Sequence, residues 1–420
     1  MAVALTSEDR EMLDGRRGQA TALAMRIVLD MARVWEAERL IDVTSAHIDS
    51  CLYHGPAGLD FAELLVAGGA RVSIPTTLNV SSLDLLHPGL VRLDADTSVQ
   101  ARKLMDAYVA MGCRPTWTCA PYQLERRPAF GEHVAWAESN AIVFANSVLG
   151  ARTNRYGDFI DICASITGRV PAAGLHLDEQ RRGSIVVRLA DDVPERMLHD
   201  EITPTCVGHI VGLRAGSEVP VIVGLPADTG EDRLKALGAA AASSGAVSMF
   251  HAVGITPEAP TLADALGGNA AASEFVVTRD HLRAARDELT TVADGAIAAV
   301  SVGTPHLSVS EIAQLAAAVR AHPPAVPLYA NIGRDVAAPA GDLQDLAEAG
   351  VTVVSDTCTY ITPILHDIDG PVMTNSAKWA WYAPANLGFD VVFGSMDECV
   401  RSASLGRVWR DPDVWGAWDA

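Results

Sequence analysis

Three clusters in this 420-residue chain have residue types and spacing that can do chemistry. The first is Trp117-Thr-Cys119-Ala-Pro-Tyr122, a cysteine in a proline turn among polar and aromatic neighbours. The second runs from Glu138 through Asn140, Asn146, Ser147, Arg152 and Asn154 to Arg155, around the short apolar run Ala141–Ala145. Two arginines and three asparagines at such short range suit two-point recognition of a carboxylate or phosphate. The third collects polar residues that fall just after apolar runs: Gly303-Thr-Pro-His306, Asn331, Asp356-Thr-Cys358 and Ser395, with Asn375-Ser376-Ala-Lys378 nearby in the same region. Each cluster has a structural alternative. A lone cysteine is commonly a small buried hydrophobe, and polar residues at strand ends often satisfy turn backbones. Lys378 is one of only three lysines, with Lys103 and Lys235, and its Asn-Ser neighbourhood points toward an anion contact. His47, in Ser45-Ala-His47-Ile-Asp49, reads either as a satisfied core histidine or as a site residue.

The elements around these clusters have a consistent grammar. Thr6-x-x-Asp9 predicts an N-cap for a long amphipathic segment reaching about Leu40. Phe61–Ala67, stopped by Gly68-Gly69, predicts a helix followed by a strand at Ala70–Pro75. Between roughly Pro171 and Ala293 the apolar runs Ser184–Leu189, His209–Leu213, Val219–Leu225 and Ala246–His251 suggest a separate α/β lobe. In the last third, strands at Gly295–Val302, Val326–Ala330, Val351–Ser355 and Val391–Gly394 alternate with helices at Ser308–Ala321, Leu343–Glu348 and Met396–Ser404. Continuous apolar strands separated by helices predict parallel sheets covered on both faces. Ligands of such sheets sit at the carboxyl ends of the strands, where the third cluster falls.

Composition narrows the function classes. Asp and Glu number 52 against 32 Lys and Arg, for a formal net charge of −20, a surface that repels nucleic-acid backbones. No segment approaches the ~20 apolar residues of a membrane span. The N-terminus lacks the charged start and apolar centre of a signal peptide, so a cytoplasmic location is expected. Seven scattered cysteines predict buried thiols and two or three ligands rather than a disulfide framework. G-x-G-x-x-G, Walker A, C-x-x-C, H-E-x-x-H and G-x-S-x-G are all absent.

An ordered series of motifs then resembles the large component of the aconitase X family. It comprises Ala46-His-Ile-Asp49, Thr76-Thr-Leu-Asn79, Thr118-Cys119-Ala-Pro-Tyr122, Asn146-Ser-Val-Leu-Gly-Ala-Arg152-Thr-Asn154 and Tyr156-Gly-Asp-Phe159. It continues through Ile166-Thr-Gly-Arg169, Val253-Gly-Ile-Thr-Pro-Glu-Ala-Pro260, Gly303-Thr-Pro-His306 and Asn375-Ser-Ala-Lys378. The resemblance implies an aconitase-like α/β fold of three α/β domains with parallel sheets, expected at 1–173, 174–293 and 294–420. The family's small swivelling domain has no room in this chain. A separate small subunit is therefore expected, carrying the swivelling domain and a serine that acts as general base.

The implied activity is that of a hydro-lyase, a dehydratase of the aconitase superfamily acting on a small hydroxy acid. The lysine-poor, Ala/Arg-rich texture favours cis-3-hydroxy-L-proline, dehydrated to a pyrroline carboxylate. The alternatives are mevalonate 5-phosphate, another hydroxy acid, or a non-catalytic anion-binding regulatory subunit. The resemblance implies catalytic roles for His47 and Lys378, and substrate contacts for Asn79, Asn146, Ser147, Arg152, Asn154 and Ser376. It implies a metal site at Cys119, Cys358 and His306, holding an iron–sulfur cluster, with [2Fe-2S] as one form, or mononuclear iron. The family's third thiolate lies in a Gly-Cys-Pro-His turn, and here that position is Thr304, a poor iron ligand beside thiolate. Three outcomes follow: a cluster with an altered ligand set, His306 or a water standing in, which is expected first; a different or mononuclear metal; or no metal. Cys163 substitutes only if the fold brings it near.

Overall fold

Thr6 starts the first helix as its type predicts. Its hydroxyl accepts the Asp9 amide at 3.1 Å, and Asp9 accepts the Thr6 amide at 2.9 Å. The computed structural model describes residues 3–336 and 339–416. The expected continuous segment to Leu40 is divided into helices Ser7–Leu13 and Gln19–Val34. Gly15 and Gly18, at φ 77° and 102°, turn the chain through backbone conformations that interrupt a helix.

Three parallel sheets follow. In the first, Ala46–Ile48 is the central strand, flanked by Thr76–Leu78 and Ala135–Trp136. Its second strand begins after the expected segment Ala70–Pro75. The amides of Val72 and Ser73 are drawn away to the carbonyls of Met111 and Ser165, so pairing with the central strand starts only at Thr76. An antiparallel pair, Leu40–Asp42 with Arg169–Pro171, closes this lobe.

The middle sheet has the order His251–Ala252, Pro220–Val223, Ile185–Leu189, Ser273–Val277. The apolar run His209–Leu213 lies inside helix Ile202–Ala215, which is buried on nearly every side. A short apolar run is compatible with either a strand or a buried helix, and here the packing decides.

The third sheet has the order Thr352–Val354, Leu328–Asn331, Ala299–Val302, Val372–Thr374, Val391–Phe393, all parallel. Ser308 and Glu311 form a capping box at the start of helix Val309–Ala321. Ile312, Leu315 and Val319 on its inner face are fully buried against the sheet. Burying each such aliphatic side chain stabilises the fold by roughly 1.5–3 kcal/mol. Chain order reverses between Ala299–Val302 and Val372–Thr374, which makes a crevice at their carboxyl ends, the usual ligand position in a doubly wound sheet. Gly303–His306 leaves the first of these strands, and Asn375–Lys378 leaves the second. Among the described residues no helix is long and apolar enough to cross a membrane.

Candidate active site

Cys119, His306 and Cys358 converge from three separate turns. Their ligand atoms all lie within 4.8 Å of one another, and all three residues are buried. The Cys358 Sγ is 3.8 Å from His306 Nε2, and the His306 amide donates to Cys119 Sγ at 3.3 Å. Thr118 Oγ1 holds the other ring nitrogen, Nδ1, at 3.1 Å. Both cysteines are free thiols. Burial raises the Cys119 thiol, but a hydrogen bond from Cys358 and the charges of His306 and Lys378 bring it below its usual value. Cys358 moves the opposite way, pushed up by its bond to Cys119 and by burial. One sulfur is thus ready as thiolate beside an imidazole, a soft donor set that fits iron or zinc. The group can bind a metal.

A buried ion pair stands beside it. Lys378, in the first turn of helix Ala377–Leu387, places Nζ 2.5 Å from Glu138 Oε1, with side-chain exposures of 6% and 3%. Burial disfavours both charges. Each nevertheless stays ionised, Lys378 well above its usual pKa and Glu138 below, because the partner charge outweighs desolvation. Glu138 caps helix Ser139–Phe144 through the Ala141 amide and accepts a bond from Asn140. Asn140 also donates to the Cys119 carbonyl at 2.9 Å and accepts Tyr122 OH at 2.6 Å. Glu138 and Asn140 therefore tie the lysine to the thiol turn.

His47 lies in the central strand of the first sheet, and Asp49 and Asn79 follow the ends of that strand and its neighbour. Both His47 and Asp49 feel the charge of Glu138 in the ion pair. His47 is fully buried, its Nδ1 is 2.8 Å from Thr77 Oγ1, and its Nε2 has no partner. Burial lowers its pKa to about 4. Asn79 donates to Asp49, while its own Oδ1 is buried without a partner. Burial and the charge of Glu138 push the Asp49 carboxyl up to about 7, against the pull of Lys378.

Other expected residues are engaged elsewhere. Asn146 donates to the Thr153 and Ser248 carbonyls and accepts the Thr153 amide and Arg181. Ser147 accepts the Phe250 amide at 2.9 Å, and Asn154 binds Ala173 and Leu175. Arg152 pairs with Asp178 and the His176 carbonyl. All four residues expected in the carboxylate clamp hold hydrogen bonds within the protein. Their bonds fasten the 146–154 loop to the 173–181 segment and to Ser248 and Phe250 of the middle lobe. Ser376 is close to the site, but its hydroxyl accepts the Trp379 amide and donates to the Thr304 carbonyl. Cys163 packs in the core of the first lobe, apart from the other two thiols.

Glu138 and Asn140 belong to the second sequence cluster and Asp49 to the first of the ordered motifs, but neither carboxylate had an individual role. The one available signal was a carboxylate directly before a short apolar helix, which fits an N-cap. A cleft of about 1040 Å³ is lined by Asp200, Glu201, Asp228, Glu231 and Glu311 among others, against Arg127, Arg233 and Lys235.

Comparison with known proteins completes the picture. Models described as the Aconitase X first, second and third domains match residues 2–179, 183–287 and 297–404. The chain belongs to the aconitase X family. The cis-3-hydroxy-L-proline dehydratase of Pseudomonas aeruginosa is 46% identical over 411 residues, covering 96% of this chain and 70% of that protein. That of Hypocrea jecorina is 41% identical over 97% of this chain and 69% of its own length. The phosphomevalonate dehydratase large subunit of Methanothermobacter thermautotrophicus is 36% identical, covering 95% of this chain and 98% of that subunit. The crystal structure of Thermococcus kodakaraensis aconitase X in its holo-form superposes with a TM-score of 0.85 at 31% identity, over 96% of this chain and all of that one. The aconitase X fold accounts for all three parallel sheets described above.

Proposed function

We propose that this chain is the large subunit of a hydro-lyase that dehydrates cis-3-hydroxy-L-proline to a pyrroline carboxylate. The observation that carries this is the convergence of Cys119, His306 and Cys358 beside the buried Lys378–Glu138 pair, in a chain 46% identical to a dehydratase of that substrate. Iron, as a [2Fe-2S] or other iron–sulfur cluster or as a mononuclear ion, would be held by the two thiolates and the imidazole. It would supply Lewis acidity toward the leaving oxygen.

The chain's own residues provide the rest. The Lys378 ammonium is a buried cation suited to the substrate carboxylate. Asn79 Oδ1 and Asp49 present acceptors suited to the ring ammonium. His47, neutral and with Nε2 unpartnered, is suited to hold a proton in transit. Loss of the α-proton and departure of the 3-hydroxyl as water leave an enamine, which tautomerises to the cyclic imine. A small partner subunit carrying the swivelling domain and a basic serine would complete a cytoplasmic heterodimer.

Identity to the two cis-3-hydroxy-L-proline dehydratases, 46% and 41%, exceeds the 36% to the phosphomevalonate dehydratase large subunit, which supports hydroxyproline over mevalonate 5-phosphate. The test is reconstitution with the small subunit and assay of both substrates. Turnover of hydroxyproline at least about 100-fold better in kcat/KM supports the assignment. Faster turnover of mevalonate 5-phosphate overturns it, and the absence of any turnover with full iron favours a non-catalytic anion-binding role.

A further inference from the structure

His306 brings an imidazole to the two thiols, and its main chain is fastened on both sides. The amide donates to Cys119 Sγ at 3.3 Å, and the carbonyl accepts Gln123 Nε2 at 3.1 Å and Lys235 Nζ at 3.4 Å. The ring is fully buried and meets the protein at both nitrogens. Nδ1 is 3.1 Å from Thr118 Oγ1, while Nε2 is 3.3 Å from the Thr357 carbonyl and 3.8 Å from Cys358 Sγ. Both threonines belong to the thiol turns, Trp117-Thr118-Cys119 and Asp356-Thr357-Cys358. Each turn opens on a residue of positive φ, 45° at Trp117 and 64° at Asp356, a conformation uncommon outside glycine. The two turns thus share one backbone device and grip one ring between them.

The two threonines offer that ring different chemistry. The Thr357 carbonyl can only accept, so it favours the ring hydrogen on Nε2. To ligate a metal through Nε2, the ring must carry its hydrogen on Nδ1 instead. The Thr118 hydroxyl suits both forms. It can donate to a bare Nδ1 or accept from Nδ1–H, because the Ala120 amide, at 3.1 Å, takes only one of its two lone pairs. That same amide bond turns the hydroxyl toward the ring.

We infer that Thr118 is the positioning residue of the metal site. Its hydroxyl keeps the His306 ring in place while the ring hydrogen passes from Nε2 to Nδ1 on metal binding. The ring stays neutral throughout, so the exchange releases no proton from it. The inference rests on the reading of Cys119, His306 and Cys358 as metal ligands, and it names the residue that makes the imidazole a ligand.

The experiment measures Zn(II) affinity, by competition with a chromophoric chelator, on metal-free protein purified with its small subunit. T118V, which keeps the shape and removes the hydroxyl, should bind Zn(II) about 10–100-fold more weakly than wild type, and T118S should stay within about threefold. H306A should lose at least as much as T118V, and T118V/H306A should be no weaker than H306A, because Thr118 acts through the ring. NMR of isotope-labelled histidine, with the His306 signals assigned by their loss in H306A, should show Nε2–H in the metal-free wild type and Nδ1–H with Zn(II). That measurement needs no change at Thr118, so it decides the matter where T118V fails to fold. Zn(II) affinity of T118V within about twofold of wild type overturns the inference. So does a full additional loss in T118V/H306A, which would mark a purely structural role, or the same ring tautomer with and without Zn(II). If C119S or H306A binds Zn(II) as tightly as wild type, the ligand reading fails and this inference falls with it. If both lose Zn(II) and T118V matches wild type, only the inference fails.

Discussion

Lys378 Nζ lies 2.5 Å from Glu138 Oε1, across 240 residues of chain, and both side chains are buried. Removing one member of such a pair leaves the other charge in a medium that cannot solvate it. K378M and E138Q should each destabilise the chain by about 3–5 kcal/mol, and the double variant by clearly less than their sum. Denaturant unfolding of the four proteins measures this, and additive losses would show that the pair is not coupled. K378M should also lower kcat by about 100-fold or more in the reconstituted enzyme.

The convergence of Cys119, His306 and Cys358 predicts a selective effect on bound metal. C119S, C358S and H306A should each lose most of the iron found in anaerobically purified wild type, while C163S should retain it. Metal analysis per mole of folded protein checks this. Because a metal that binds only the folded state stabilises it, a chelator should lower the unfolding temperature of wild type more than that of C119S. Equal iron in C119S and wild type would remove Cys119 from the ligand set.

His47 predicts a pH dependence of stability. Its folded pKa, about 4, lies below its ordinary value of 6.5, so the unfolded chain binds the proton more readily. Its contribution is fully present above pH 6.5 and is lost as pH falls toward 4, by about 3 kcal/mol in all. Asp49, raised to about 7, works in the opposite direction: its contribution is fully present at low pH and is lost as pH rises toward 7. H47Q should therefore flatten the acid-side loss of stability, and D49N should steepen it. Denaturation midpoints between pH 4 and 7 decide the matter, and identical pH slopes in wild type and H47Q would rule out the buried neutral imidazole.

Asn146 should behave as a structural residue. Each of its amide groups serves protein partners, so N146A should cost roughly 2–4 kcal/mol of stability. The folded fraction should keep a KM close to wild type. A variant of normal stability with a greatly raised KM would instead restore Asn146 to the substrate.

What the sequence determined by itself was chiefly local. Thr6 with Asp9 and Ser308 with Glu311 announced their caps, because capping depends on residues three apart. The apolar runs of the last third announced parallel strands, and the polar residues after them marked the crevice, because a strand's end is set by its own pattern. The ordered motifs announced the family. Partner choice was decided only by the tertiary structure. Asn146 and Arg152 have the types of an anion clamp, but they bond Ser248 of the middle lobe and Arg181 and Asp178 of the segment that leads into it, which no spacing along the chain reveals. Glu138 read as an unassigned carboxylate until the fold brought Lys378 to it. Residue type fixes which bonds a side chain can make, and only the packed structure fixes which of them are left open for a substrate.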